Sequence, residues 1–460
     1  MPDSNHDIAD RALAAAQASF DQAQGHAKFA RGLALCQLLI DKGSLAQALA
    51  VLSAIQPLTA SDFERAQVLQ RQGLIHLRQS QYDKAYYFLG EAMVKLGTHP
   101  DSLELYNVYH DLAWMSYRQG YMEKARNYCE GAQLVIKSMQ QKSGPAAEQA
   151  RADLCHLIAL IEAASGQFDA ALVQLENERQ LRLRHDDPVR MASLYNKMGS
   201  VLQAMGRMKQ ALDYQRQTMD QAQRGNDLFR QAVSHKNLGE IYCSIGDLDR
   251  ALDHYRQSLE QSQTVGNQLG VLFATAGIGR ILAAQGGYAK AALQLQDALK
   301  LARRIKNREQ ECSVLLDLAE LATAAQRPAD AARYREAART LENELDQPLS
   351  PRHVISAARQ CLAGSDPDGL LSARSLLEEL LLAPIVINDE EHISIPELEI
   401  EACCLLARAL RQLGRADLAA PVLQRAVAAI DAFTRDLEQR DRAAFLARPV
   451  VAEAFSLARG

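Results

Sequence analysis
Along most of the chain, apolar residues recur at intervals of three and four, the spacing of one helix face, and the pattern breaks at short, regularly placed loops. Each loop is followed by an alanine five residues on. The loops read GSLAQA at 43–48, SQYDKA at 80–85, GYMEKA at 120–125, GQFDAA at 166–171 and GRMKQA at 206–211. They continue as GDLDRA at 246–251, GGYAKA at 286–291, QRPADA at 326–331 and GRADLA at 414–419. From Gly166 to Gln326 the step is 40 residues four times over. Earlier steps are 37, 40 and 46, and the step from Gln326 to Gly414 is 88, room for two repeats with a hidden one turning near 365–369. Asp187, Asp227, Asn267 and Asn307 mark the same 40-residue phase between one repeat and the next.

The pattern predicts two helices per unit. First helices fall at 187–205, 227–245, 267–285 and 307–325, and second helices at 208–224, 248–264, 288–304 and 328–344. Glycine suits the end of a first helix because it enters the left-handed region without a Cβ penalty. The alanine marks a close helix crossing. A second small residue stands seven before the loop: Gly73, Ala113, Ala159, Gly199, Gly239, Gly279, Ala319 and Ala407.

This small-x6-Gly-x4-Ala pattern, recurring nine times in register over about residues 26–430, resembles the tetratricopeptide family. The 40-residue period resembles the longer repeats of the LGN/Pins group and those of bacterial signalling proteins. The chain departs from the family in mostly lacking the proline that ends the second helix, and residues 346–396 are degenerate. The resemblance implies an all-α fold, a right-handed α-solenoid of about ten helix-turn-helix repeats whose first helices line a concave groove. It implies that the groove binds an extended peptide or a helix of a protein partner. The expected layout is an N-terminal capping helix at 1–25, repeats one to eight at 26–345, a degenerate ninth and a tenth at 346–440, and a capping helix at 441–460.

Family register places certain first-helix residues in the groove. In the third repeat these are Asn107, His110, Trp114 and Tyr117, on one helical face by their spacing of three, four and three. Aromatics supply contact area, and Asn and His supply hydrogen bonds to a peptide backbone. Aromatic packing between neighbouring first helices is the other reading of this face. Later repeats place Asn196, Gln203, Lys236, Asn237, Glu240, Phe273, Arg280, Asp317 and Glu320 there. Asn237 stands where the resemblance implies a ligand-binding asparagine, whose amide can grip a peptide N–H and C=O together. Its other reading is a solvated groove residue.

Charge and chemistry change this picture little. The formal net charge of −5 argues against general nucleic-acid binding. No apolar run approaches the roughly 20 residues that span a bilayer, and the N-terminus lacks the order of a secretory signal. The eight cysteines include no CxxC pair and read as buried free thiols in a reducing, cytoplasmic compartment. Cys403 and Cys404 point different ways on a helix, which argues against a disulfide or metal role. No phosphate-cradling glycine loop, zinc-protease helix or nucleophile elbow is present. SDPDG at 365–369 resembles part of a calcium loop, but position twelve is Leu377, so a capping turn is expected. PIVINDEEHISIP at 384–396 reads as a hairpin or loop with a solvated tip.

Residues 441–459 are expected as one helix with Pro449 inside it, laying Phe445, Val450, Val451 and Phe455 over the final repeat. Residues 6–24 are expected to cap the other end. Bare apolar faces at either end would permit homo-oligomers. The function expected is a non-enzymatic, cofactor-free scaffold or adaptor binding a protein or peptide partner, without nucleic acid or membrane insertion. A peptide-gated signalling or transcriptional regulator is the alternative, and a non-catalytic subunit of an enzyme complex a third.

Overall fold
The computed structural model describes residues 3–79, 81–139, 144–184, 187–345, 349–364, 367–382 and 395–459. Among these residues there are 23 α-helices, one short 3-10 turn and no strand. Contacts divide the chain into two compact units: Met1–Ile161 with Glu176–Leu181, and Glu162–Leu175 with Arg182–Gly460.

Unit 1 holds α1 (Asp3–Gln22), α2 (Gly25–Asp41), α3 (Leu45–Ile55), α4 (Asp62–Arg78), α5 (Tyr82–Leu96), α6 (Leu103–Arg118), α7 (Met122–Met139) and most of α8 (Pro145–Ala164). The helix α9 (Phe168–Arg182) is divided between the units. Unit 2 continues with α10 (Pro188–Ala204), α11 (Met208–Arg224), α12 (Leu228–Ile245), α13 (Leu248–Thr264), α14 (Gln268–Ala284), α15 (Tyr288–Arg304), α16 (Arg308–Ala324) and α17 (Pro328–Glu344). It closes with α18 (Pro351–Gly364), α19 (Pro367–Leu382), α20 (Ile395–Gln412), α21 (Ala416–Thr434), α22 (Gln439–Leu446) and α23 (Pro449–Arg459). The eight helices predicted from 187 to 344 all form, with ends within a residue of the predicted ones. The hidden pair is α18 and α19. Residues 365–366 of its turn, and 384–394 of the expected loop, lie outside the described residues.

The 40-residue phase has a backbone cause at two places in each repeat. Asp187, Asp227, Asn267 and Asn307 are N-caps whose side-chain oxygens accept from the backbone N–H three residues on, at 3.0, 2.9, 3.1 and 2.9 Å. Each satisfies a donor that the first helical turn leaves without a partner. Between the paired helices the chain turns through the left-handed region at Gly206, Gly246 and Gly286. Gly246, at φ +94°, donates its N–H to the carbonyls of Tyr242 and Cys243. Gln326 holds the same place in its repeat at φ +56° with a side chain attached.

The small residues seven before these turns interlock with the second helix sixteen residues further on. A Cβ added at Gly73, Gly239 or Gly279 would meet Leu89, Tyr255 or Leu295 at 2.6, 3.0 and 2.8 Å. The alanines that follow the loops are fully buried: Ala211, Ala251 and Ala291 are all 0% exposed. The crossing is close because nothing larger than a methyl separates the helices there.

The C-terminus differs from the expected single capping helix. Pro449 opens α23 instead of sitting inside α22, since its missing N–H costs nothing at a first helical position. The segment also does more than cover the last pair. α23 packs on α20 and α21, but α22 packs on α12. Phe445 and Val451 are fully buried, in a core that also holds Leu238 and Ile241 of α12. At the other end α1 lays Phe20 on the core of α2 and α3.

Replacing Gln326 with Gly removes left-handed strain and is expected to raise stability by about 1 kcal/mol. Asp227→Ala removes a cap and is expected to cost about 1 kcal/mol. Urea unfolding midpoints measure both. A destabilised Gln326→Gly would contradict this account of the turn.

Candidate functional site
The inner wall of unit 2 is built from first helices in one register. Glu240 on α12, Arg280 on α14 and Glu320 on α16 occupy the same repeat position, 40 residues apart. One turn earlier on each helix stand Asn237, Gly277 and Asp317. Repetition thus sets acid, base and acid side by side. Lys236 pairs with Glu240 at 3.1 Å and lies 5.1 Å over the Phe273 ring.

Asp317 is the pivot of this wall. Its side chain is 1% exposed, and each carboxylate oxygen takes one guanidinium: Arg280 at 3.1 Å and Arg352 of α18 at 2.6 Å. Burial alone would raise the Asp317 carboxyl, but Arg352 and Arg280 outweigh it and hold it below the usual carboxylate range. Arg352 also reaches Glu320 at 3.3 Å. Arg280 reaches the hydroxyl of Tyr255 at 3.4 Å, and burial pushes that phenol well above its ordinary value. Tyr255 fits because Gly239 and Gly277 are both bare, and a Cβ at Gly277 would lie 2.5 Å from its ring.

Glu240, Tyr255, Arg280, Glu320 and Arg352 border a cavity of about 570 Å³. Glu397, Ile400 and Glu401 of α20 continue the wall, and Phe445 to Val451 close it from the C-terminal segment. The closing segment is held by charge. Asp441 pairs with Arg250, Arg440 reaches Asp247 at 3.1 Å, and Arg448 donates to the Ser244 carbonyl at 2.6 Å and pairs with Glu397. Arg250 stacks 4.2 Å over Tyr242, Tyr242 stacks on His254 at 5.4 Å, and the Nδ1 atoms of His254 and His235 are 3.0 Å apart. Burial and then His254 push His235 down to about 4 from its ordinary 6.5. Burial lowers His254 too, with Asp253 opposing and Arg250 adding to it.

The sequence-predicted residues divide between the units. Asn107, His110, Trp114 and Tyr117 are all half-buried on α6 of unit 1. Trp114 packs on Tyr117 of its own helix at 5.7 Å, and His110 on Tyr106 at 5.8 Å. In unit 2, Lys236, Glu240, Phe273, Arg280, Asp317 and Glu320 come together. Asn237 is buried rather than solvated, and its amide donates to Asn196 at 2.6 Å. Gln203 is buried as well. Sequence reasoning passed over Tyr255, Arg352 and Arg448, and placed the closing segment only over the final repeat. Tyr255 had a signal, since it stands where Leu89 and Leu295 stand in their repeats. Arg352 had none, because its repeat is degenerate.

All eight cysteines are free, and burial pushes the Cys243 thiol, at the cavity edge, up to about 12. Among the described residues no cluster of three or more His, Cys, Asp or Glu side chains could hold a metal ion. No described helix is long and apolar enough to cross a membrane.

The architecture is that of an all-α solenoid of paired helices. Two family models described as tetratricopeptide repeat match residues 190–264 and 400–431, so the chain carries tetratricopeptide repeats there. No curated protein matches it in sequence. Among solved structures, it is similar to a Rap protein complexed with competence and sporulation factor, at 14% identity and a TM-score of 0.55, over 81% of this chain and 99% of that one. It is also similar to the apo quorum sensor NprR from B. thuringiensis, at 15% identity and a TM-score of 0.56, over 73% and 94%. The apo form of RapI gives 14% and 0.54, over 81% and 99%. At these identities the likeness is one of fold.

Removing Asp317 leaves two buried guanidinium groups facing each other. Asp317→Ala is expected to cost about 3–5 kcal/mol in denaturant unfolding. A loss below 1 kcal/mol would show the pair to be solvated.

Each histidine of the unfolded chain binds a proton near pH 6.5, but in the folded chain His235 does so only near pH 4, and burial lowers His254 as well. Stability therefore falls as pH drops across that window. Thermal midpoints between pH 7 and 4 should decline, and His235→Gln should flatten the decline. Equal slopes in both proteins would remove the pair as its cause.

Proposed function
We propose that the chain is a non-enzymatic interaction protein that takes a short peptide, or a helix of a protein partner, against the first-helix face of unit 2. The observation that carries this is the cavity of about 570 Å³ bounded by Glu240, Arg280, Glu320 and Arg352. Its volume falls in the roughly 300–1,000 Å³ range of ligand sites. Its acids and bases are paired, so a ligand with both donors and acceptors suits it better than a bare ion. The similar Rap structure holds competence and sporulation factor and the similar NprR is a quorum sensor, which agrees with a ligand-responsive role. Because the C-terminal segment closes the cavity, a gated regulator fits better than a permanently open scaffold. We assign Asn196, Gln203, Lys236, Asn237, Glu240 and Arg280 to the unit 2 binding face or its support. Asn107, His110, Trp114 and Tyr117 we assign to a separate contact face on unit 1. We also propose the repeat layout 26–345 and 346–440 between end helices, and the cytoplasm as the compartment on the strength of the free cysteines.

Immobilised full-length chain is equilibrated with a random pentapeptide mixture, and retained peptides are identified by mass spectrometry. Ala284 borders the cavity and is exposed, so Ala284→Trp fills the space without touching the ion pairs. Wild type is expected to retain a sequence-biased set, and Ala284→Trp to lose it at least ten-fold. Retention unaffected by Ala284→Trp, or none by wild type, would sink the proposal.

A further inference from the structure
The last helix pair of a solenoid needs a cover, but α22 does not serve the last pair alone, where its Phe445 meets Phe433 of α21. It also lies against α12 and the α12–α13 turn, some 190 residues earlier in sequence. Its eight residues are well short of the roughly 12–15 that a helix needs to persist alone in water, so its docking surface holds it helical. One face does the docking. Asp441 and Phe445, four residues apart, share that side, and Arg448 follows in the bend after the helix. Asp441 and Phe445 are buried, whereas Arg442, Ala443 and Leu446 on the other side are exposed.

The receiving surface is matched to this pattern group by group. Arg250 meets Asp441, Asp247 meets the flanking Arg440, and the Ser244 carbonyl meets Arg448. Phe445 stacks on Phe433 with ring centroids 4.0 Å apart. Gly246 is part of the match, since a Cβ there would stand 3.0 Å from the carbonyl oxygen of Ala444. Asp247 belongs to the surface and not to α22 alone: burial raises its carboxyl, but Arg250 and then Arg440 hold it below the usual range.

We infer that the α12–α13 turn, with Phe433 of α21 beside it, is a docking surface for a short amphipathic helix of a partner protein, with a carboxylate, an aromatic ring four residues on and an arginine just past its end. In the free chain α22 is the resident occupant, and a partner helix of this chemistry displaces it. The inference rests on the reading of unit 2 as a binding unit and names the partner class. Recognition is of the helix-in-groove kind, an aromatic anchor flanked by charge pairs. A tethered occupant acts at an effective concentration on the order of millimolar, so a free peptide competes poorly until the resident is weakened. Displacement also removes Phe445 to Val451 from the cavity wall, which would couple partner docking to access by a cavity ligand.

A fluorescently labelled synthetic peptide with the sequence of residues 436–451 is titrated with full-length protein by anisotropy. Phe445→Ala in the chain is expected to bind it at least ten-fold tighter than wild type. Arg440→Glu, at a solvent-exposed side chain that repels Asp247, is expected to bind about three-fold tighter and guards against misfolding of the first variant. A peptide carrying Phe445→Ala is expected to bind neither. Equal affinity for wild type and Arg440→Glu, or equal binding of the two peptides, overturns the inference. Wild-type dimerisation that the peptide abolishes would assign the surface to a second copy of this chain and likewise overturn it. If the labelled peptide fails while pentapeptide retention stays sensitive to Ala284→Trp, the cavity reading stands and this inference alone is lost.

Discussion
The close crossing of paired helices is the constraint on which the rest depends. Where Gly239 leaves its backbone bare, Tyr255 fills the gap, and the same interlock recurs with Leu89 against Gly73 and Leu295 against Gly279. Packed interiors tolerate little change in volume. A side chain at any of these glycines would push two helices apart and shift every residue they carry. The inner wall therefore inherits its spacing from a contact on its far side. Tyr255 shows the link directly: it packs against Gly239 and Gly277, and its hydroxyl meets Arg280 at the cavity.

Buried charge is the second layer. Asp317, Arg280 and Arg352 join three successive first helices of unit 2 through one carboxylate. Such a group adds little net stability compared with apolar packing, but losing one member exposes the others to the full cost of desolvation. It fixes register between neighbouring repeats. On the cavity side of the same wall, the half-buried Glu320 and Arg280 keep polar atoms near the cavity. At the α12–α13 turn the charges do a different task, holding a short helix that could not hold itself.

Much of the fold was legible because a repeat states the same fact many times. The N-cap oxygens at Asp187, Asp227, Asn267 and Asn307 and the loop glycines each act within a few residues of themselves. Their spacing could be read without coordinates, and the eight helices between 187 and 344 stand where the spacing put them. The same periodicity placed Glu240, Arg280 and Glu320 on a common face. The reading was poorer where the register faltered. Arg352 sits where the repeat pattern lapses, and Pro449, set among apolar residues at helical spacing, starts a new helix.

The sequence by itself determined the helices, their pairing and the face each presents, because caps, turns and helix periodicity act over short range. It could not say what lies against that face. That depends on where the unit 2 solenoid brings residues some 190 positions apart, as with Asp247 and Arg440, and no local pattern encodes the distance. Only the tertiary structure showed Asn237 spent on Asn196 and Asp317 shared by two arginines. It alone showed the C-terminal segment crossing to α12 to form one wall of the cavity.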